Sequence, residues 1–166
     1  MKKRPGSWVG LSLLAMAAVP AGFWVGEGLE DAPAQSFGLL GLLLLAVTAV
    51  AALLDRAAWL KGLGAGAMVG LLSCAAFWVG ERVAADAYNS CVERGDEIRS
   101  ALEEFKSATG RYPDSLAELG QRLPGQRLLR PNILFYERRD DGYVLSFSDW
   151  LVEQTATETG SWDVRK

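Results

Sequence analysis

The chain has no histidine and only two cysteines, Cys74 and Cys91, among its 166 residues. Without histidine there is no imidazole general base, no Ser-His-Asp triad and no histidine metal ligand. Two cysteines cannot assemble a cysteine-based zinc cluster. They stand seventeen residues apart, which on a continuous helix is about 25 Å. A disulfide needs Cα atoms within about 7 Å, so the pair reads as two small, buried thiols. Glycine-rich phosphate loops are absent as well. The net charge of −3 argues against nucleic acid as a partner.

Charge is scarce in one half only. Residues 1–80 hold nine of the 37 charged side chains, and the rest crowd into residues 81–166. Three apolar runs fill the poor half, at 8–25, 37–54 and 59–79, and Lys61 is the single charge inside them. Each run approaches the 17–25 residues that cross a hydrocarbon core. The first run is long for a cleavable signal, contains Pro20 and is followed by further spans. The composition therefore predicts a three-span α-helical membrane domain over 1–80 and an extramembrane domain over 81–166. The lipid bilayer is the first predicted partner.

Lysine and arginine near the span ends predict the orientation. Lys2, Lys3 and Arg4 precede the first run, and Arg56 and Lys61 lie at the second turn. The intervening segment "EGLEDAPAQS" is acidic. A cytoplasmic N-terminus and an external C-terminal domain follow, which in a bacterium means the inner membrane and the periplasm. Aromatic residues support the same spans: Trp8 and Trp59 open the first and third runs, and Trp24 and Trp78 close them, as an interfacial belt would. The closing segments are identical, "FWVGE" at 23–27 and again at 77–81. The glutamate that ends each copy is expected in water. Within the third run Gly62, Gly66 and Gly70 recur every four residues and share one helix face, a packing ridge for another helix. That ridge faces the first span, the second span or a second copy, and it offers a route to a protein partner or a homo-oligomer.

Beyond residue 80 the periodicity continues. Tyr88, Cys91, Gly95, Ile98, Leu102 and Phe105 recur at three- and four-residue steps, one seam of a helix. The expected helix covers about 81–109, continuing from the third span, and stops at Gly110 with Pro113 beyond. Ser115 and Glu118 have capping-box spacing for a short helix near 115–121. Two β-rich runs then flank Asp140-Asp141-Gly142, predicting a hairpin over about 133–148. Tyr143, Leu145 and Phe147 share one strand face. A lone hairpin is marginal in water, so a helix–sheet core is expected from Ile98, Leu102, Phe105, Tyr112, Leu116, Phe135, Tyr143, Leu145 and Phe147. Residues 161–165 are a candidate third strand.

The segment "ALEEFKSATGRYPDSLAEL", followed by "FYERRDDGYVLSF", resembles the type IV pilin-like domain, nearest to the major pseudopilins of type II secretion systems. The resemblance covers about residues 95–150, and Gly110-Arg111-Tyr112-Pro113 is its most specific segment. It implies a small α+β domain in which an antiparallel sheet packs on a half-exposed helix. The chain departs from that family at its start. Gly22-Phe23-Trp24-Val25-Gly26-Glu27 spells the pilin pentad but follows an apolar span instead of a polar leader, so prepilin-type cleavage is not expected. Asp140, Asp141 and Asp149 offer oxygen ligands for a calcium ion, although Asp140-Asp141 suit a turn equally well.

No catalytic residues and no cofactor are predicted. Asp86, Glu93, Asp96, Glu97, Glu103 and Glu104 alternate with Arg82, Arg94, Arg99 and Lys106, the pattern of a solvated helix face. Arg122, Arg127, Arg130, Arg138 and Arg139 form a candidate basic patch for lipid headgroups or an acidic partner. The resulting expectation is a non-enzymatic inner-membrane protein that presents a pilin-like domain for protein–protein interaction, in envelope assembly or secretion. A second class stays open, an immunity-type protein against a periplasmic or membrane-acting toxin. Transport is disfavoured because the spans are almost free of ionisable groups.

Overall fold

The computed structural model describes residues 6–29, 32–54, 59–140, 142–149 and 151–165, with side chains described for these other than 6–9, 52, 54 and 59–61. The chain divides into two compact units, residues 1–82 and 83–166. The charges that set the predicted orientation (Lys2, Lys3, Arg4, Glu30, Asp31, Arg56 and the Lys61 side chain) lie outside the described residues. So do the side chains of Trp8 and Trp59.

The first unit is helical. It contains α1 (Gly6–Gly26), α2 (Pro33–Leu54) and the beginning of α3 (Trp59–Thr109). Proline at the first position of α2 sacrifices only an N–H that has no intrahelical partner there. Among the described residues two helices are long and apolar enough to cross a membrane, through the segments Pro33–Ala51 and Gly62–Thr109. The apolar stretch described for α1, Gly10–Gly26, is shorter. Ala18, Val47 and Val69, one from each helix, form the small buried centre of the unit. Around it Leu13, Met16, Leu42, Leu45, Met68 and Leu71 are each more than half exposed. An outward apolar surface of that kind needs a nonaqueous neighbour.

α3 is a single helix of 51 residues, as the seam and the lack of a breaker predict. In the second unit it carries a four-stranded antiparallel sheet of β1 (Phe135–Arg138), β2 (Tyr143–Ser148), β3 (Glu153–Thr157) and β4 (Asp163–Arg165), in the order β1-β2-β3-β4. The sheet thus exceeds the hairpin or three strands expected. The missed strand is β3, "EQTAT", in which only Ala156 is buried. Its polar residues show no apolar alternation, and pairing with β2 decides its conformation. The hairpin forms where expected and is closed by reciprocal backbone bonds between Arg139 and Gly142; Asp141 lies outside the described residues. The expected short helix is a single 3-10 turn, Leu116–Leu119, with Glu118 accepting from the Asp114 and Ser115 amides.

The core joins Cys91, Ile98 and Leu102 of α3 to Leu145 and Phe147 of β2, with Tyr112, Leu116, Leu134 and Tyr143. Two expected core members fall outside it. Phe135 is 58% exposed because it pairs with Ser146, on the face opposite Leu145. Tyr136, one residue on, pairs with Leu145 and packs on the core instead. A one-residue offset moves a side chain to the other face of a strand. Phe105 is only half-buried, beside Leu119 and Ala108 at the end of α3.

Special fits hold the loops against α3. Trp162 lies over Gly95, where a Cβ would stand 2.6 Å from the indole ring. Its Nε1 donates to Asp96 at 2.9 Å and its ring meets Phe147 edge-on at 5.2 Å. Gly125 has φ of +78°, a left-handed conformation that favours glycine. Its amide donates to Ser90 Oγ at 2.9 Å, and its carbonyl accepts from Ile133. Asp149 closes the β2–β3 turn by accepting from the amides of Leu151 and Val152. Its carboxylate serves the turn, and among the described residues no acidic group is gathered that holds a metal ion.

The face assignment makes a contrast between two phenylalanines. Phe147→Ala should cost about 3–5 kcal/mol of stability, while Phe135→Ala should stay within about 0.5 kcal/mol. Thermal and denaturant unfolding in mild detergent reads both; equal losses would refute the register. A pH dependence follows as well. Burial pushes the Cys91 thiol up to about 12 and the Tyr136 phenol up to about 12. Both folded-state values are raised, so the neutral forms stabilise the fold below the unfolded pKa values of about 8.5 and 10. That contribution is lost as pH climbs towards about 12. The unfolding temperature should hold level through neutral pH and fall above about pH 9; a level profile through that alkaline range would contradict the burial of these groups.

Candidate functional site

The repeated pentapeptide lies at a helix crossing in the first unit. A Cβ added to Gly26 of α1 would overlap the Phe77 carbonyl of α3, and a Cβ on Gly80 of α3 would overlap the Phe23 carbonyl of α1. The glycine of each copy therefore receives the phenylalanine backbone of the other. One turn earlier Gly22 is equally close to the Ser73 carbonyl. Contacts climb together along both chains, 22 with 73 and 26 with 77, so α1 and α3 run parallel. Gly22 and Gly26 have the small-xxx-small spacing that lets helix backbones approach. This is the signal carried by Gly62, Gly66 and Gly70, present in α1 but overlooked beside the aromatic belt.

The predicted ridge of α3 meets α2 of the same chain. A Cβ on Gly66 would stand 2.9 Å from Ala51, and one on Gly70 would stand 3.4 Å from Leu44. Residue numbers fall along α2 as they rise along α3, so this pair is antiparallel. Gly62 is buried. The predicted belt residues Trp24 and Trp78 are 44% and 56% exposed, on the outside of the crossing. Phe77 is fully buried and packs against Phe37 at 5.9 Å. Glu27 departs from expectation: it is fully buried rather than in water. Gly80 allows the end of α1 so close that a Cβ there would lie 2.9 Å from the Glu27 amide nitrogen.

In the second unit the charged side chains mostly hold the fold together. Arg99 donates to the Thr157 and Gly160 carbonyls at 3.3 and 2.5 Å and pairs with Asp96 at 3.5 Å, fixing the β3–β4 connection. Arg94 binds Glu97 at 2.9 Å and the Arg122 carbonyl at 3.1 Å. Tyr112 donates to Glu103 at 2.7 Å, and Lys106 lies 4.5 Å from its ring centre. Burial first, and then Glu103, raises the Tyr112 phenol above its ordinary value. The acids Glu93, Asp96, Glu97, Glu103 and Glu104 are exposed, as a solvated face would have them.

Two grooves flank this stretch of α3. One, of 310 Å³, is lined by Asp86, Ser90, Arg94, Arg122 and Gly125. The other, of 360 Å³, is lined by Asp96, Arg99, Glu103, Tyr143 and Glu158. Ser90, Arg94, Arg99, Glu103 and Asp96 on their walls take part in bonds that hold the second unit together. The predicted basic patch divides: Arg138 forms a short ion pair with Asp114, which also pairs with Arg111 at 3.1 Å. Arg122, Arg127 and Arg130 lie in the segment that follows the 3-10 turn.

The crossing can be tested by its own controls. Gly26→Leu and Gly80→Leu should each cost about 1–3 kcal/mol through overpacking and lower the thermal midpoint in detergent. Gly38→Leu, Gly41→Leu and Gly64→Leu, where a Cβ meets nothing within 4 Å, should leave it unchanged. Equal behaviour of the two sets would rule out the crossing. Among known proteins, no family model, no curated protein and no solved structure matches this chain.

Proposed function

We propose that the chain is a three-span integral membrane protein of the bacterial inner membrane that presents its second unit outside the cytoplasm as a pilin-like binding domain. The observation that carries this reading is α3 itself. The helix begins as an apolar rod; farther along, a single face buries a sheet while the opposite face carries charge. The parallel crossing of α1 and α3 and the antiparallel contact of α2 and α3 support three alternating spans. With three spans and a cytoplasmic N-terminus, residues beyond the third span are periplasmic. The helix-on-sheet packing supports the pilin-like assignment, and the use of the charged groups in holding the fold supports a role in binding another envelope component instead of catalysis.

Two measurements test this. Alkaline carbonate should leave the protein in the membrane fraction, and an impermeant maleimide should label Ser161→Cys in intact spheroplasts. Labelling only after the membrane is broken would overturn the orientation. For the binding role, mild crosslinking followed by purification in detergent should retain a discrete envelope partner. A strictly monomeric protein without any retained partner would count against it.

A further inference from the structure

We propose that residues 160–165 are exchanged between two copies of the chain, so that β4 of one copy completes the sheet of the other. The contact lies wholly within the second unit and does not rest on the membrane reading above.

The three hairpins of the sheet are closed in different ways. Reciprocal backbone bonds between Arg139 and Gly142 close the β1–β2 turn. The β2–β3 turn is closed by the Asp149 amide, which donates to the Val152 carbonyl, and by the Asp149 carboxylate. Among the described residues, no backbone–backbone hydrogen bond closes the connection 158–162 between β3 and β4. Its residues are tied to other elements instead. The Glu158 carboxylate accepts from the Tyr143 amide of β2 at 3.3 Å, and the Gly160 carbonyl accepts from Arg99 of α3. Thr159, between these two anchors, is exposed. Folding back over this connection therefore forms no turn bond that an extended path would forfeit.

The contacts that hold residues 160–165 are all made to α3, β2 and β3, and none requires the segment to come from the same chain. Trp162 fills the notch at Gly95, donates to Asp96 and meets Phe147 edge-on. The three residues of β4 pair with β3, and all three side chains are exposed. Release of the segment thus uncovers one aromatic anchor and a short ladder, which belongs to the low-stability end of a fold. A strand added to a sheet edge is recognised in the same manner, by main-chain bonds and a pocket for a single side chain. Exchange breaks each contact in one copy and remakes the same contact in the other, so no group has to be free beforehand. The contact energies cancel, which is why such exchange is a low-cost route to a dimer. Thr157 and Glu158 stay with their own sheet. Arg99 then holds the Thr157 carbonyl of its own chain and the Gly160 carbonyl of the second copy.

The test uses the full chain in mild detergent, in a Cys74→Ala background; Cys91 is fully buried. Glu153 and Arg165 are exposed Cα partners in the β3–β4 ladder, a separation that a disulfide can bridge. Two copies with different affinity tags, one carrying Glu153→Cys and the other Arg165→Cys, are coexpressed and oxidised. A disulfide joining the two tagged copies is expected, in excess of any product from either single-cysteine copy alone. With both cysteines in one chain, the band on a non-reducing gel should shift from one chain to two. Four glycine and serine residues inserted after Thr159 ease closure of the connection and should move that band back towards an internally linked monomer. An internally linked monomer as the only product of the original connection would overturn the exchange. So would a mixture that links no more than its single-cysteine controls, which reports random collision. A double-cysteine chain that forms no disulfide at all refutes the β3–β4 pairing, and the exchange with it.

Discussion

The small side chains along α3 decide how closely α1, α2 and the Trp162 ring can approach it. Gly66 and Gly70 admit α2, Gly80 admits α1, whose own Gly22 admits the Ser73 carbonyl, and Gly95 admits the Trp162 ring. At Gly22 and Gly80 an added Cβ meets backbone and at Gly66 and Gly95 a packed side chain, so there is little room for the neighbour to yield; at Gly70 it would only touch the end of Leu44. A helix of 51 residues with larger residues at these points would keep its hydrogen bonds and lose its partners. The constraint is therefore steric before it is chemical. It explains why a helix whose sequence is so varied is punctuated by glycine at intervals.

Hydrophobic burial works differently in the two units. In the second, Ile98, Leu102, Leu145 and Phe147 leave water almost completely, each contributing about 1.5–3 kcal/mol. In the first, the buried apolar side chains described are few and, Phe77 apart, small, and large leucines point outward. Close backbone approach at Gly22, Gly26 and Gly80 holds α1 against α3 there. The two copies of "FWVGE" acquire a physical meaning in this light. Their aromatic residues stand at the ends of the runs, and their glycines receive each other's backbone.

Several polar side chains of the second unit serve as structural fasteners. Arg99 anchors the β3–β4 connection, Asp149 closes the β2–β3 turn, and Glu103 holds Tyr112. The ion pairs at Asp114 take Arg138 out of the basic cluster.

The periodicities were legible from the chain alone. The apolar runs, the seam from Tyr88 to Leu102, the Gly110 stop and the Asp-Gly hairpin depend on spacing and local conformation, which sequence carries directly. The small-xxx-small signals were written there too, in α1 as well as α3. Tertiary structure decided the partners: α2 for Gly66 and Gly70, α1 for Gly80, Trp162 for Gly95. It also recruited "EQTAT" as a strand through its neighbour β2, turned Phe135 outward by one step of register, and drew Glu27 into a buried position. These outcomes rest on which surfaces meet across long separations in the chain, and no local pattern encodes that meeting.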